Sequence, residues 1–372
     1  MTENNPKLQK AVALMQARQL DGLVIYSGGK CSILSPSFLH YFSGFKPMGP
    51  RNAAVISKSG DAVLLVEPAW DANRASQKSW IPEVRGSGHF MDDLQSVLTQ
   101  MGIAGPAGVV GSREMNSDTY KGLESFIDIQ PADDIIEQIA RIKSESEVEV
   151  VKKVAAMSDI GFDAFFNFAR EGVREYELAA RMEYAMRSAG AEDIFILLSS
   201  GKNNFEMHDP TDRRLERGDI LIGEITPVLE GQFFQLCRTV VLGEAGPLLR
   251  EKYVLLMEAL EKTLAEVRAG VPAAVISKTM NGIFAEAGYE EYCYPPYMRA
   301  RGHGFGAGSL APGGVIDDNT EADLLKDQVV VIHPTQWLPE TGYLACGGTF
   351  LITESGYEEP SQTETKLYIK ED

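Results

Sequence analysis

The chain has 372 residues, 44% of them hydrophobic, which is enough for two domains with a substantial buried core. Its 53 Asp and Glu against 35 Lys and Arg give a formal net charge of -18, and no basic stripe is available to neutralise phosphates, so nucleic acid is excluded as an expected partner. No apolar run reaches the ~18 residues of a membrane span, and the polar start from Met1 to Lys7 lacks a signal-peptide apolar segment. A cytoplasmic protein with no membrane partner is therefore expected, with its four scattered cysteines (Cys31, Cys237, Cys293 and Cys346) as reduced thiols.

In chain order, an amphipathic helix is expected from Pro6 to Gln19, then strands at Gly22 to Tyr26, Ala53 to Ile56 and Ala62 to Val66. They make a smaller α/β domain over residues 1–140. A second domain, 141–372, opens at Lys143-Ser144-Glu145-Ser146-Glu147, where Ser144 and Glu147 have capping-box spacing. Val148, Val151, Val154, Ala155, Ile160 and Phe162 give the helix that follows an apolar face. A second helix runs from near Arg174 to the Ala189-Gly190 stop. Strands are expected at Ile194 to Ser199, Ile220 to Ile225 and Phe233 to Leu242. Two helices come next, Leu248 to Arg268 and Pro272 to Ala287, with Gly270 between them. Strands at Val329 to His333 and Thr349 to Ile352 complete the pattern, which suits an α+β domain with helices on one face of an antiparallel sheet.

Four segments carry the chemistry. They are Gly218-Asp219-Ile220-Leu221-Ile222-Gly223-Glu224, Gly231 to Arg238-Thr239, Arg301-Gly302-His303-Gly304-Phe305-Gly306, and Val329 to Pro334. In this order they resemble the active-site segments of the pita-bread superfamily, which includes methionine aminopeptidase, aminopeptidase P, prolidase and creatinase. The resemblance implies a pita-bread catalytic domain, a curved antiparallel sheet with helices on one face, preceded by a creatinase-type N-terminal domain. Metal-dependent members place Asp, Asp, His, Glu and Glu at five positions, where this sequence has Glu224, Gln235, His303, His333 and Gly347. An amide cannot bridge two ions as a carboxylate does, and Gly347 removes a second bridging side chain and is expected to open space.

Within the superfamily the chain is most similar to creatinase, itself without a working metal site. The segment Ser200 to Pro210 places His208 on creatinase's proton-carrying histidine. Arg51, in Gly49-Pro50-Arg51-Asn52-Ala53, resembles an arginine that reaches the substrate carboxylate from the neighbouring subunit, which implies a homodimer. Cys237 replaces the glutamate that binds the guanidinium of creatine, and a second carboxylate-binding arginine has no counterpart in Ala307 to Asp317.

The expected function is thus a metal-independent, creatinase-like hydrolase with no cofactor, cleaving a C–N bond of a small carboxylated molecule such as an amidine, cyclic amidine or amide. His208 carries the proton. Glu224, buried in an apolar strand, holds a cationic group or acts as base, and His303 and His333 stabilise the reacting centre. Arg51, Gln235, Cys237, Trp337 and Tyr343 are the expected substrate contacts, and no metal ligand is assigned. Two alternatives stand beside this reading. One is a single-metal, peptidase-like enzyme acting on proline-containing dipeptides, with His303, His333 and one further ligand; the other is a non-catalytic binding module.

Overall fold

The structure is a computed structural model and describes residues 5–29, 37–308 and 310–371. Cys31 and the first four residues, on which the thiol and leader expectations partly rest, lie outside them. The chain folds into two compact units, Met1–Arg141 with Ala307–Pro312, and Ile142–Gly306 with Gly313–Asp372. The distant segment joins the first unit because Ala307 and Ala311 are buried in its core.

The first unit runs α1 (Pro6–Ala17), β1 (Gly22–Ser27), α2 (Phe38–Ser43), β2 (Arg51–Ser57), β3 (Ala62–Glu67), α3 (Ala72–Lys78), β4 (Glu83–Gly86), α4 (Phe90–Gln100), β5 (Ala107–Val110), α5 (Ser117–Phe126), β6 (Ile129–Pro131) and α6 (Asp133–Arg141). Helix α1 starts where Asn5 accepts the N–H groups of Lys7 and Leu8 and Pro6 fills the first turn. The strands form one sheet in the order β4-β3-β2-β1-β5-β6. Alternate residues of β1 serve its two faces: Leu23 and Ile25 join the core with α1, α2 and α6, while Val24 and Tyr26 join the core with α4. This is the expected α/β layering.

The second unit runs α7 (Glu145–Phe168), α8 (Glu175–Ser188), β7 (Asp193–Gly201), β8 (Ile220–Leu229), β9 (Gln232–Phe233), β10 (Leu236–Leu242), α9 (Pro247–Glu266), α10 (Ala274–Glu286), β11 (Gly302–Gly304), β12 (Val315–Ile316), β13 (Val329–Ile332), β14 (Gln336–Leu338), β15 (Gly342–Leu344), β16 (Gly348–Ile352), β17 (Tyr357–Glu358) and β18 (Tyr368–Lys370). The capping box at the start of α7 is present, with Ser144 accepting from the Glu147 N–H and the Glu147 carboxylate accepting from the Ser144 N–H. Ile160, expected on the apolar face of α7, is exposed. It lies nine residues from buried Val151, and at ~100° per residue that places it half a turn away.

The main sheet follows the order β12-β11-β13-β16-β10-β8-β7. Its register decides where the site lies. Ile225, Leu236, Val330 and Phe350 share one face; the first two pack with α7 and α8, the other two with α9 and α10. The helices thus cover one face, as expected, and the second unit is the α+β fold that the pita-bread resemblance implies. The opposite face carries Glu224 across from Cys237, and His303 across from Val331, itself across from Thr349. The expected strand from Phe233 to Leu242 is interrupted between β9 and β10, where the Gln235 N–H turns to Thr349 Oγ1 at 2.8 Å and Thr349 donates back to the Gln235 carbonyl at 3.0 Å. Fully buried Arg238 ties the site strands together by donating to the carbonyls of Cys237 and Gly347 at 2.9 and 2.7 Å. No helix among the described residues is long and apolar enough to cross a membrane.

Candidate active site

Glu224 sits mid-strand in β8, buried, and no hydrogen bond or ion pair reaches its carboxylate among the described residues. Burial pushes its pKa up to about 7, against a smaller pull downward from the Arg299 guanidinium. Across the register, Cys237 is wholly buried, and burial raises its thiol far above the ordinary value, with the Glu224 charge adding to the effect. Cys237 is therefore a packed, protonated thiol and no nucleophile. Gln235 turns its amide toward the Cys237 sulfur at 3.6 Å.

His303 in β11 donates from Nδ1 to the Gly304 carbonyl at 3.0 Å, which orients the ring and turns Nε2 away from that carbonyl. The His333 ring stands edge-on to it, 5.6 Å between centroids. Burial holds the His333 pKa down at about 3, so its imidazole is uncharged at neutral pH. Its Nδ1 is buried without a partner among the described residues. Tyr343 is pushed up to about 12 by burial. Thr335 and Tyr343 face each other, and with His333 and the Glu224 carboxyl they form a polar cluster on this face of the sheet.

Around this polar set lie aromatic rings. Trp337 stacks within 5.3 Å of both Tyr292 and Tyr297, and exposed Phe205 packs on Trp337 at 5.8 Å. Arg301 is buried behind them, its guanidinium spent on Asn281 Oδ1, the Thr335 carbonyl and Gln336 Oε1.

The structure thus brings Glu224, Gln235, Cys237, His303, His333 and Tyr343 to one region, with Trp337 on the aromatic patch at its side. The His208 carbonyl accepts from the Leu198 N–H of β7, the strand paired with that of Glu224, and its Nδ1 donates to the carbonyl of the next residue, Asp209, at 2.8 Å. Arg51, in the first unit, spends Nε and Nη2 on the two Glu67 oxygens at 2.6 and 2.7 Å. Gly347 does not open space: its φ is +89° and an added Cβ would lie 2.4 Å from the Ile332 carbonyl oxygen, so the backbone of β13 already fills the position. The sequence reading missed Arg299. Its signal was the alternation Arg299, Arg301, His303 in one extended run, on the near side of the glycine-rich motif, whereas an arginine was sought only on the far side.

The five positions do not fit the metal pair of the metal-dependent members. Among the described residues no three His, Cys, Asp or Glu side chains converge on one point, and Glu224 is the one carboxylate of the five. Among the described residues His303 and His333 likewise gain no third His, Cys, Asp or Glu ligand for a single ion.

Residues 149–354 match the model of metallopeptidase family M24, and residues 7–141 match the creatinase/prolidase N-terminal domain. The Xaa-Pro dipeptidase of Pyrococcus furiosus is 26% identical over 97% of this chain and 99% of its own length. The prolidase from Pyrococcus horikoshii superposes with a TM-score of 0.84 at 26% identity, over 97% of this chain and 99% of that one. The X-Pro aminopeptidase from Thermotoga maritima does so with a TM-score of 0.86 at 22% identity, over 97% and 99%. These matches overturn the expectation of a metal-independent, creatinase-like hydrolase of non-peptide C–N bonds. One physical reason agrees with the correction: the creatinase reading needs a cation-binding group at Cys237, where a protonated thiol is buried. With its family model spanning more than half the chain, and the matched strands being those that carry Glu224, His303 and His333, the chain belongs to metallopeptidase family M24.

Proposed function

We propose that this protein hydrolyses the peptide bond of short proline-containing peptides, Xaa-Pro dipeptides above all. The observation that carries the reading is Glu224, a buried carboxyl with no hydrogen bond or ion pair among the described residues and a pKa of about 7, on the face of the sheet whose Arg299 also acts on the uncharged imidazole of His333. Full-length similarity to Xaa-Pro dipeptidases supports the substrate class.

The chain's own groups supply the following proton transfers. Ionised Glu224 takes a proton from the attacking water, whose oxygen bonds to the acyl carbon. The carboxyl then returns that proton to the prolyl nitrogen as the C–N bond breaks, so that water is divided between the two products. Nδ1 of His333, carrying its proton, donates to the oxygen on which charge develops. Trp337 and Tyr297 offer flat apolar surface of the kind a pyrrolidine ring packs against.

The test is release of free proline from Ala-Pro, Met-Pro and Gly-Pro by the purified chain, assayed as isolated and with manganese, cobalt or zinc added. Release under any of these conditions supports the reading. No release under all of them overturns it.

A further inference from the structure

One buried hydroxyl on the site face is not used by the proposed proton transfers. Thr226 in β8 is 1% exposed, and its Oγ1 has no hydrogen-bond partner among the described residues. Glu224 and Thr226 are two residues apart in one strand, so both point to the face opposite Ile225, which packs with α7 and α8. The register sets them in neighbouring rows across the sheet. Glu224 lies across from Cys237 on one side and Leu197 on the other, and Thr226 lies across from Phe195. Because Ile225 pairs with Leu236, Gln235 is level with Thr226. The Gln235 N–H reaches Thr349, Thr349 is across from Val331, and Val331 is across from His303. Thr226 therefore opens the row that ends on His303, next to the row that Glu224 opens. Ser199 also has a buried hydroxyl without a partner among the described residues, but it stands on the far side of Glu224, opposite Ile222 of the apolar core with α9 and α10.

We infer that Thr226 is a further catalytic residue, its hydroxyl holding the attacking water against the Glu224 carboxylate. The inference rests on the proposed hydrolysis and adds to it the group that orients the nucleophile. Side chains two apart on a strand are separated by about 6.6 Å, and a water bonded to two oxygens spans about 5.6 Å between them, so one water fits between the two groups. A buried hydroxyl with no protein partner is ordinarily satisfied in this way. The water gives one hydrogen bond to Glu224 and the other to Thr226 Oγ1, which leaves an oxygen lone pair for the acyl carbon. As the O–C bond forms, the first proton passes to Glu224, while the second stays on the oxygen and leaves in the new carboxyl group.

The experiment compares, in the full chain, Thr226→Val, which keeps the shape and loses the hydroxyl, with Thr226→Ser, which keeps the hydroxyl. On Ala-Pro, Thr226→Val is expected to lower kcat roughly 10- to 100-fold with KM little changed, and Thr226→Ser to recover most of the loss. Stability separates this from a packing role, because a methyl group in place of a buried, unpartnered hydroxyl leaves the urea midpoint unchanged or raises it. Activity and stability falling together in Thr226→Val, or an unchanged kcat, overturns the inference. A second measurement needs no turnover. At pH 5.5 the infrared carbonyl stretch of protonated Glu224, assigned by its loss in Glu224→Gln, should move to higher wavenumber in Thr226→Val as the hydrogen bond from the water is lost, and stay in place in Thr226→Ser. An unmoved band in Thr226→Val overturns the inference whatever the proline assay gives. A band that moves, in a chain that releases no proline from any dipeptide, supports the water site and defeats only the peptidase reading.

Discussion

In the proposed reaction the chemistry turns on Glu224, a buried carboxyl to which no hydrogen bond or ion pair runs among the described residues. Burial, against a smaller downward pull from Arg299, raises its pKa to about 7, so near neutral pH it is divided between the form that accepts a proton and the form that gives one back. The ionised form begins the reaction, so kcat/KM on Ala-Pro is expected to rise with pH through about 7. Glu224→Gln should lower it by ~100-fold or more and abolish that limb; a variant retaining the limb would assign it to another group. Arg299 holds the Glu224 pKa below the value burial alone would set, so the limb in Arg299→Gln should move to higher pH. The burial of Glu224 was legible in the sequence, as a lone acid in an apolar strand. Arg299 was not, since nothing in its neighbours shows whether a guanidinium is spent, as that of Arg301 is on three acceptors, or left open.

At the scale of elements, local signals placed the helices and register placed the site. Ser144 and Glu147 announce the start of α7 because the reciprocal bonds of a capping box need only four consecutive residues. Ser144→Ala should destabilise the second unit by about 1 kcal/mol, read as a lower urea midpoint with an unchanged slope; no change would show that the Glu147 carboxylate alone secures the first turn. The break at Gln235 had no such local sign, since it arises from Thr349, 114 positions away in sequence. Gly347 was misread for the same reason. Its glycine answers the close approach of the Ile332 carbonyl, a contact between strands that appears only once β13 and β16 are paired.

For the whole molecule, the two strongly shifted site groups pull stability in opposite directions with pH. Glu224 has its folded pKa raised from 4.5 to about 7. Its contribution is fully present below 4.5 and is lost as pH rises through 7, because the native chain must then hold an unpaired charge. His333 has its folded pKa lowered from 6.5 to about 3. Its contribution is present above 6.5 and is lost as pH falls toward 3, because the unfolded chain takes up a proton that the native site refuses. The windows overlap between 4.5 and 6.5, where the slopes oppose each other and each amounts to about 3 kcal/mol at most. The remaining acids and bases contribute a background common to all variants, so the informative quantity is the difference from the unaltered chain. Measured by urea denaturation at pH 4.5, 5.5, 6.5 and 7.5, Glu224→Gln should gain stability relative to the unaltered chain as pH rises. His333→Gln should lose it over the range up to 6.5 and level off above. Parallel curves for all three proteins would mean that neither group is buried in the charge state assigned to it, and the proton transfer proposed for Glu224 would lose its physical basis.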